Sequence, residues 1–69
     1  MSQREAVLER LKVGPLTQFQ ALRELGIMRL APRIEELRRE HAIDTIMIDV
    51  MTANRDRFAR VAQYVLKDK

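Results

Sequence analysis

Residues 17–40 read TQFQALRELGIMRLAPRIEELRRE, and they carry the strongest structural signal in the chain. Thr17 and Gln20 form a capping box, in which the threonine oxygen accepts from an amide one turn on and the glutamine reaches back. Apolar residues then recur on one helical face: Phe19, Leu22 and Leu25. Gly26 ends the pattern, because glycine adopts the left-handed conformation that terminates helices. These features predict a short second helix over about residues 18–25.

A longer helical pattern follows Gly26 and continues to Glu40. One face has members at spacings of three and four: Ile27, Leu30, Ile34, Leu37 and His41. Proline is tolerated in a helix only in the first turn, where the amides lack intrahelical acceptors. The sequence therefore predicts a third helix over about residues 28–40, with Pro32 near its beginning.

The residues before this stretch predict a first helix over about residues 3–13. Ser2 and Glu5 form a second capping box. An apolar stripe follows at Val7, Leu8 and Leu11. Gly14 is expected to take the left-handed cap, and Pro15 cannot continue the helix, so the first helix ends there.

From Ile43 onward the hydrophobic period changes from 3.6 residues to two, which is typical of β-strands. The side chains alternate between two faces: Ile46, Ile48 and Val50 on one, Met47, Asp49 and Met51 on the other. Residues 52–56 are polar and prone to form a turn, and the alternation resumes up to Leu66. The pattern predicts a β-hairpin over about residues 43–51 and 57–66. If both faces are apolar, one of them is a candidate dimer surface.

Two helices joined by a short turn that contains glycine form a helix-turn-helix, and a hairpin directly after them makes it winged. The predicted fold is therefore α+β: one winged helix-turn-helix domain over residues 1–69, with three helices followed by a C-terminal two-stranded wing. The third helix, about 18 Å long, would fit a major groove about 12 Å wide.

Composition bounds the function further. The chain has 69 residues, 13 Lys and Arg against 10 Asp and Glu, a net charge of +3, one His and no Cys. These numbers exclude disulfides and make a metal site or a cofactor unexpected. The sequence offers no combination of a nucleophile with a general base, since it has a single His, and it has no glycine-rich phosphate-binding loop. We therefore do not expect an enzyme. No segment is apolar enough to span a membrane, and we expect a cytoplasmic protein.

The chain resembles a family of small helix-turn-helix domains found in phages and prophages. The resemblance covers about residues 6–66 and is most specific in the middle. It is carried by Val7-Leu8-Glu9-Arg10-Leu11, Gly14-Pro15-Leu16-Thr17, Ala21-Leu22-Arg23-Glu24-Leu25-Gly26-Ile27, Arg29-Leu30-Ala31, Arg33-Ile34, Leu37-Arg38-Arg39, Ile43 and Tyr64-Val65-Leu66.

The resemblance implies a winged helix-turn-helix that binds DNA, and it implies no target sequence and no base-reading residues. The chain departs from the family at two places. Pro32 stands where a small residue is expected, which affects the beginning of the third helix. Glu40-His41 stands where a glycine is expected after that helix, which removes a simple C-cap.

The candidate DNA contacts are arginines, which suit bidentate recognition of phosphate and guanine. On the third helix we predict contacts by Arg29, Arg33 and Arg39. At the wing tip we predict contacts by Arg55 and Arg57. The alternative for Arg33 is an ion pair with a carboxylate such as Glu24 or Glu36. The alternative for the wing-tip arginines is that their charge prevents the hairpin from pairing edge to edge with other strands.

The function predicted from the sequence is a DNA-binding protein, a small phage or prophage transcriptional regulator. The third helix enters the major groove, the wing contacts flanking backbone or minor groove, and the amides at the start of the second helix face a phosphate. The partner is double-stranded DNA, with a homodimer or a protein partner left open. The alternative is a protein-interaction module or inhibitor without DNA binding, which the three glutamates of the third helix favour. An architectural role in recombination or packaging is a further alternative.

Overall fold

The computed structural model describes residues 2–51 and 57–67. In chain order its elements are α1 (Gln3–Val13), β1 (Leu16–Thr17), α2 (Gln18–Leu25), α3 (Ala31–Leu37), β2 (Ile43–Met51) and β3 (Phe58–Leu66). The strands form one antiparallel sheet in the order β1-β3-β2. The architecture is α+β and winged helix-turn-helix, which is the predicted fold class.

The first helix, α1, occupies the predicted range, and the hydroxyl half of its predicted capping box is present. The Ser2 hydroxyl oxygen accepts from the amide of Glu5 at 3.1 Å. The prediction of a left-handed cap at Gly14 was wrong, because Gly14 has a φ of 170°, which is extended backbone. The chain continues in an extended conformation into β1. The Arg10 guanidinium donates to the Gly14 carbonyl at 3.0 Å and so fixes the backbone where it leaves the helix.

The second helix, α2, also occupies its predicted range. Both bonds of the capping box are present: the Gln20 amide donates to Thr17 Oγ1 at 3.2 Å, and the Thr17 amide donates to Gln20 Oε1 at 3.0 Å. Gly26 ends the helix with a φ of 70°, in the left-handed region. Its amide donates to the Leu22 carbonyl at 3.0 Å, so the predicted cap is confirmed.

The prediction of a third helix over 28–40 was wrong in its extent, because α3 spans only Ala31–Leu37. Its beginning is delayed because the Gln18 side chain bonds the Ile27 carbonyl and the Leu30 amide, which holds residues 27–30 as a turn. Its end comes early because the amides of Arg39 and Glu40 donate to the carbonyls three residues back, those of Glu36 and Leu37, in place of the carbonyls four residues back. Arg29 therefore precedes α3, and Arg39 follows it.

Strand β3 is the centre of the sheet. It pairs with β2 without interruption, from Ile43 opposite Leu66 to Met51 opposite Phe58. It also pairs with β1, where Leu16 lies opposite Tyr64. We did not predict β1, because two residues are too few to show a period. The second hairpin strand begins at Phe58, one residue after the predicted beginning, and the predicted turn over 52–56 lies outside the described residues.

The core joins all three helices to the lower end of the sheet. Its members are Val7, Leu11, Leu16, Ala21, Ile27, Leu30, Ile34, Leu37, Ile43 and Leu66. Of the hairpin residues that the structure describes, 43–51 and 57–66, only Ile43 and Leu66 are buried, and both lie at its base. The rest of β2 and β3 extends away from the core, which agrees with the elongated overall dimensions of 39 × 22 × 20 Å.

Candidate nucleic-acid interface

The core contacts of α3 determine which of its faces a nucleic acid could reach. Leu30, Ile34 and Leu37 are buried and face the other helices and the sheet. The remaining positions of α3 are exposed or half-buried. This accessible face is not strongly basic, since residues 29–40 hold four arginines against three glutamates.

Arg29 lies in the turn that leads from α2 into α3. Its side chain is exposed, and it makes no ion pair with a described residue. It was predicted to lie on the third helix, and the structure places it two residues before α3 begins. The beginning of a recognition helix is where residues of this motif meet base edges, so the position still suits contact with DNA.

Arg33 is the one predicted contact that has an intramolecular partner within the described residues. Its Nε lies 3.3 Å from Glu36 Oε1, one turn further along α3. This Nε is screened from solvent and makes no hydrogen bond, so the contact is an ion pair without good hydrogen-bond alignment. The partner is Glu36, one of the two carboxylates considered, whereas Glu24 pairs with Arg10.

The adjacent residues Arg38 and Arg39 have different surroundings. Arg38 donates to the Ile43 carbonyl at 3.2 Å and to Glu35 Oε1 at 3.0 Å, and its Nη2 also bonds Thr45 Oγ1. These bonds fasten the end of α3 to the first residues of β2. Arg39 is exposed and has no ion pair with a described residue. The structural function of Arg38 was not predicted, because its partners belong to a different element.

At the wing, Arg57 is exposed and directly precedes β3. The other predicted wing residue, Arg55, lies outside the described residues. Arg60 is also exposed, on β3. Arg29, Arg39 and Arg57 are thus three exposed cations, placed before α3, after α3 and before β3.

An ion pair joins α1 to α2. Arg10 Nε donates to Glu24 Oε1 at 2.8 Å, and Arg10 Nη1 donates to the Gly14 carbonyl. The hydrogen bond from Arg10 lowers the pKa of Glu24 below its ordinary value of 4.5, and the charges of Arg10 and Arg23 act in the same direction. Sequence reasoning missed this pair because its members are 14 residues apart.

A concave surface of about 710 Å³ lies between α2 and the outer part of the hairpin. It is mainly apolar, with Phe19, Val50 and Val61 among its walls. Among the described residues that line it, Arg23 alone is charged, and the Arg23 guanidinium lies 5.3 Å from the centre of the Phe19 ring. Of the predicted DNA-contact arginines that the structure describes, Arg29, Arg33, Arg39 and Arg57, none lines this surface.

No helix within residues 2–51 and 57–67 is long and apolar enough to cross a membrane. The same residues contain no cluster of His, Asp and Glu side chains able to hold a metal ion.

Comparison with known proteins agrees with the geometry. Residues 2–69 match the model of a family described as a winged helix-turn-helix domain. Because the match covers nearly the whole chain, the protein belongs to this winged helix-turn-helix family. No curated protein and no solved structure gives a significant match.

Proposed function

We propose that this protein binds double-stranded DNA, with α3 and the turn before it in the major groove and the wing on flanking backbone or minor groove. The observation that carries the proposal is Arg29: an exposed arginine, without a carboxylate partner among the described residues, at the entry to α3 of a winged helix-turn-helix. Arg39 and Arg57 have the same properties after α3 and before β3.

The arginines divide into different functions. Arg29 contacts base edges, while Arg39, Arg55 and Arg57 contact phosphates. Arg33 can contact DNA only after its ion pair with Glu36 is broken. Both side chains are about one-third exposed, at 32% and 38%, so replacing this ion pair by a contact with DNA costs little free energy. Glu36 can then accept from cytosine N4, which adds selectivity without adding affinity.

The biological function proposed is that of a small transcriptional regulator in the cytoplasm, of the kind carried by phages and prophages. The support is the resemblance of the central motif and membership of the winged helix-turn-helix family. A single module of this size buries roughly 600–1,000 Å² on DNA, so tight binding requires a dimer, tandem sites or a protein partner.

The test is fluorescence anisotropy on a labelled random duplex as salt is raised. If Arg33, Arg39, Arg55 and Arg57 each neutralise a phosphate, the logarithm of the binding constant falls with a slope of about −3.6 against the logarithm of salt concentration. Absence of binding at low salt, by a chain shown to be folded by circular dichroism, contradicts the proposal.

Matched variants separate base contacts from phosphate contacts. Arg29→Ala is expected to cost about 1–3 kcal/mol on a cognate site and little on random DNA. Arg57→Ala is expected to weaken both complexes equally and to reduce the salt slope by about one. The control is Arg4→Ala, which removes an exposed arginine on α1 and leaves the cognate preference unchanged.

A second candidate function is protein interaction or inhibition without DNA binding. The observation that favours it is the charge of α3 itself, where Arg33 is paired with Glu36 and Arg38 with Glu35. Under this function, a folded protein shows no salt-dependent binding to duplex DNA, and Arg29→Ala has no effect on any DNA complex.

A further inference from the structure

Strand β2 forms one edge of the sheet along its whole length. In the order β1-β3-β2, it pairs with β3 on one side only. Nine consecutive residue pairs run from Ile43 to Met51 without a bulge. The outer edge of β2, residues 44–51, therefore presents regularly spaced backbone donors and acceptors to whatever lies beside it.

This edge carries few of the devices that usually prevent strands from pairing with other chains. Such edges commonly carry lysine, proline or a bulge. Residues 44–51 contain no lysine, no proline and no bulge, and their charged members are Asp44 and Asp49. Asp44 is already in contact with Lys67, at 3.7 Å.

Both faces beside the edge are apolar and accessible. Ile46 is 46% exposed and Val50 38% exposed on one face, while Met47 is 49% exposed and Met51 53% exposed on the other. A two-stranded ribbon is marginally stable alone, and three or more strands are needed to support it. The outer part of the hairpin has only two strands, because β1 pairs only with Tyr64 and Gln63.

We propose that a second copy of this chain pairs with the outer edge of β2, antiparallel, through its own β2. The four strands at the centre of the dimer are then β3 and β2 of one copy followed by β2 and β3 of the other. This inference does not depend on DNA binding, and it assigns the surface through which the protein forms a dimer.

The sequence of β2 is complementary to itself when the two-fold axis passes through Met47. Met47 then faces Met47 of the second copy, and Ile46 faces Ile48, so apolar side chains lie opposite each other. The two aspartates do not meet, since Asp44 lies opposite Val50. In an antiparallel pair related by a two-fold axis, residues that lie opposite each other project from the same side of the sheet. Asp44 and Asp49 project from different sides, so this symmetry never places them opposite each other.

The charges near the edge fit the same register. Asp49 is exposed and has no ion pair with a described residue. Across the dimer it lies opposite Thr45, whose hydroxyl oxygen accepts a hydrogen bond from Arg38. The Asp49 carboxylate of one copy thus approaches the guanidinium of Arg38 of the other.

The size of the interface sets the expected affinity. Two strands of this length, with their flanking side chains, bury roughly 600 Å² in total, which is at the weak end of specific interfaces. Dimerisation is therefore expected to depend on concentration. The measurement is sedimentation equilibrium from about 1 µM to about 1 mM, without DNA, so that failure of DNA binding does not affect the result.

The decisive variants change Met47. Met47→Lys and Met47→Glu each place two like charges at the two-fold axis, and each is expected to weaken dimerisation at least tenfold while circular dichroism stays unchanged. An equimolar mixture of the two variants is expected to form a heterodimer, because opposite charges then meet. The control Val13→Lys adds the same charge at an exposed position on α1 and leaves dimerisation unchanged.

A second pair of variants tests the register through Asp49. Asp49→Asn is expected to weaken the dimer several-fold, whereas Asp44→Asn is expected to leave it within twofold of the original. A chain that stays monomeric up to about 1 mM overturns the proposal. So does a dimer that Met47→Lys weakens no more than Val13→Lys does, or a mixture of the two Met47 variants that does not associate.

Discussion

Gln18 is the side chain that joins the two helices of the helix-turn-helix. Its amide nitrogen donates to the Ile27 carbonyl at 2.8 Å, and its oxygen accepts from the Leu30 amide. Both backbone groups belong to buried residues in the turn, and each depends on Gln18 for its side-chain partner. One side chain thus fixes the path of residues 27–30 and, with it, the place where α3 begins.

Gln18→Ala should lower the free energy of unfolding by about 1–3 kcal/mol, because it leaves a buried carbonyl and a buried amide unsatisfied. Urea denaturation followed by circular dichroism measures the change. Gln3→Ala, at an exposed position on α1, is the control and should lie within about 0.5 kcal/mol of the original chain. Equal values for the two variants would show that the turn does not depend on Gln18.

Glu24 makes a contribution to stability that depends on pH. The hydrogen bond from Arg10 lowers the pKa of Glu24 in the folded chain below 4.5, so the folded state binds its proton less readily than the unfolded state. The contribution is present above the unfolded pKa and is lost as pH falls through the lowered value. Because Glu24 is exposed to solvent, we expect the effect to be small and weakened by salt.

Glu24→Gln should therefore lower the Tm slightly at pH 7, and the difference from the original chain should shrink as the pH falls below 4.5 and through the lowered pKa. Thermal unfolding between pH 3 and pH 7 measures it. Glu40→Gln removes an exposed carboxyl that has no ion pair with a described residue, and it should show a smaller change at pH 7. A Glu24→Gln difference that persists at low pH would mean that the side chain acts by packing.

Two adjacent arginines at the end of α3 have different functions: Arg38 stabilises the fold, and Arg39 is proposed to bind DNA. Arg38→Ala should lower the free energy of unfolding by about 1–2 kcal/mol, because it releases the bonds to Ile43, Thr45 and Glu35. Arg39→Ala should leave stability within about 0.5 kcal/mol and weaken DNA binding. Denaturation and anisotropy on both variants measure this, and the reverse pattern would contradict the assignment of Arg39 to phosphate.

The two glycines that end helices differ in backbone conformation alone. An added Cβ meets no atom within 4 Å at either position. Gly26 has a φ of 70°, so Gly26→Ala should cost about 1–2 kcal/mol. Gly14 is extended, so Gly14→Ala should stay within about 0.5 kcal/mol of the original chain. Chemical denaturation of both variants compares them, and equal costs would show that φ is not the cause.

Helices with a cap at each end were the easiest part of the fold to predict. α1 and α2 lie where their capping boxes and glycines placed them, because those signals are local. α3 was overextended, since its apolar stripe continues through residues that form turns. Those turns depend on Gln18, which is 12 residues from Leu30, and periodicity contains no information on such a partner.

The dimer proposed here makes the stability of the entire protein depend on its concentration. An association that occurs only in the folded state raises the Tm as protein concentration rises. The Tm should therefore increase between about 5 µM and 500 µM, and Met47→Lys should abolish the increase while Val13→Lys retains it. Calorimetry at several concentrations measures the dependence, and a Tm independent of concentration in the original chain would contradict the proposed dimer.

The candidate site was predictable in part. The exposure of Arg29 and Arg39 could be predicted from the helical pattern, because the apolar stripe faces the core and the opposite face is then left to solvent. The pairing of Arg33 with Glu36 was among the alternatives, since residues three apart are neighbours on a helix. The bonds from Arg38 to Ile43 and Thr45 were not predicted, because they join the end of α3 to β2, and only folding brings those two elements together.

Short-range chemistry in the sequence was enough to establish the fold class, the limits of α1 and α2, and the hairpin. These depend on caps, turn residues and hydrophobic periods that act within a few positions. Folding in three dimensions set the extent of α3, added β1 to the sheet and made β2 an open edge. Each of these depends on contacts between distant residues: Gln18 with Leu30, Leu16 with Tyr64, and Arg38 with Thr45. Such contacts have no local signature, because their free energy is gained only when the helices and the sheet have packed around one core.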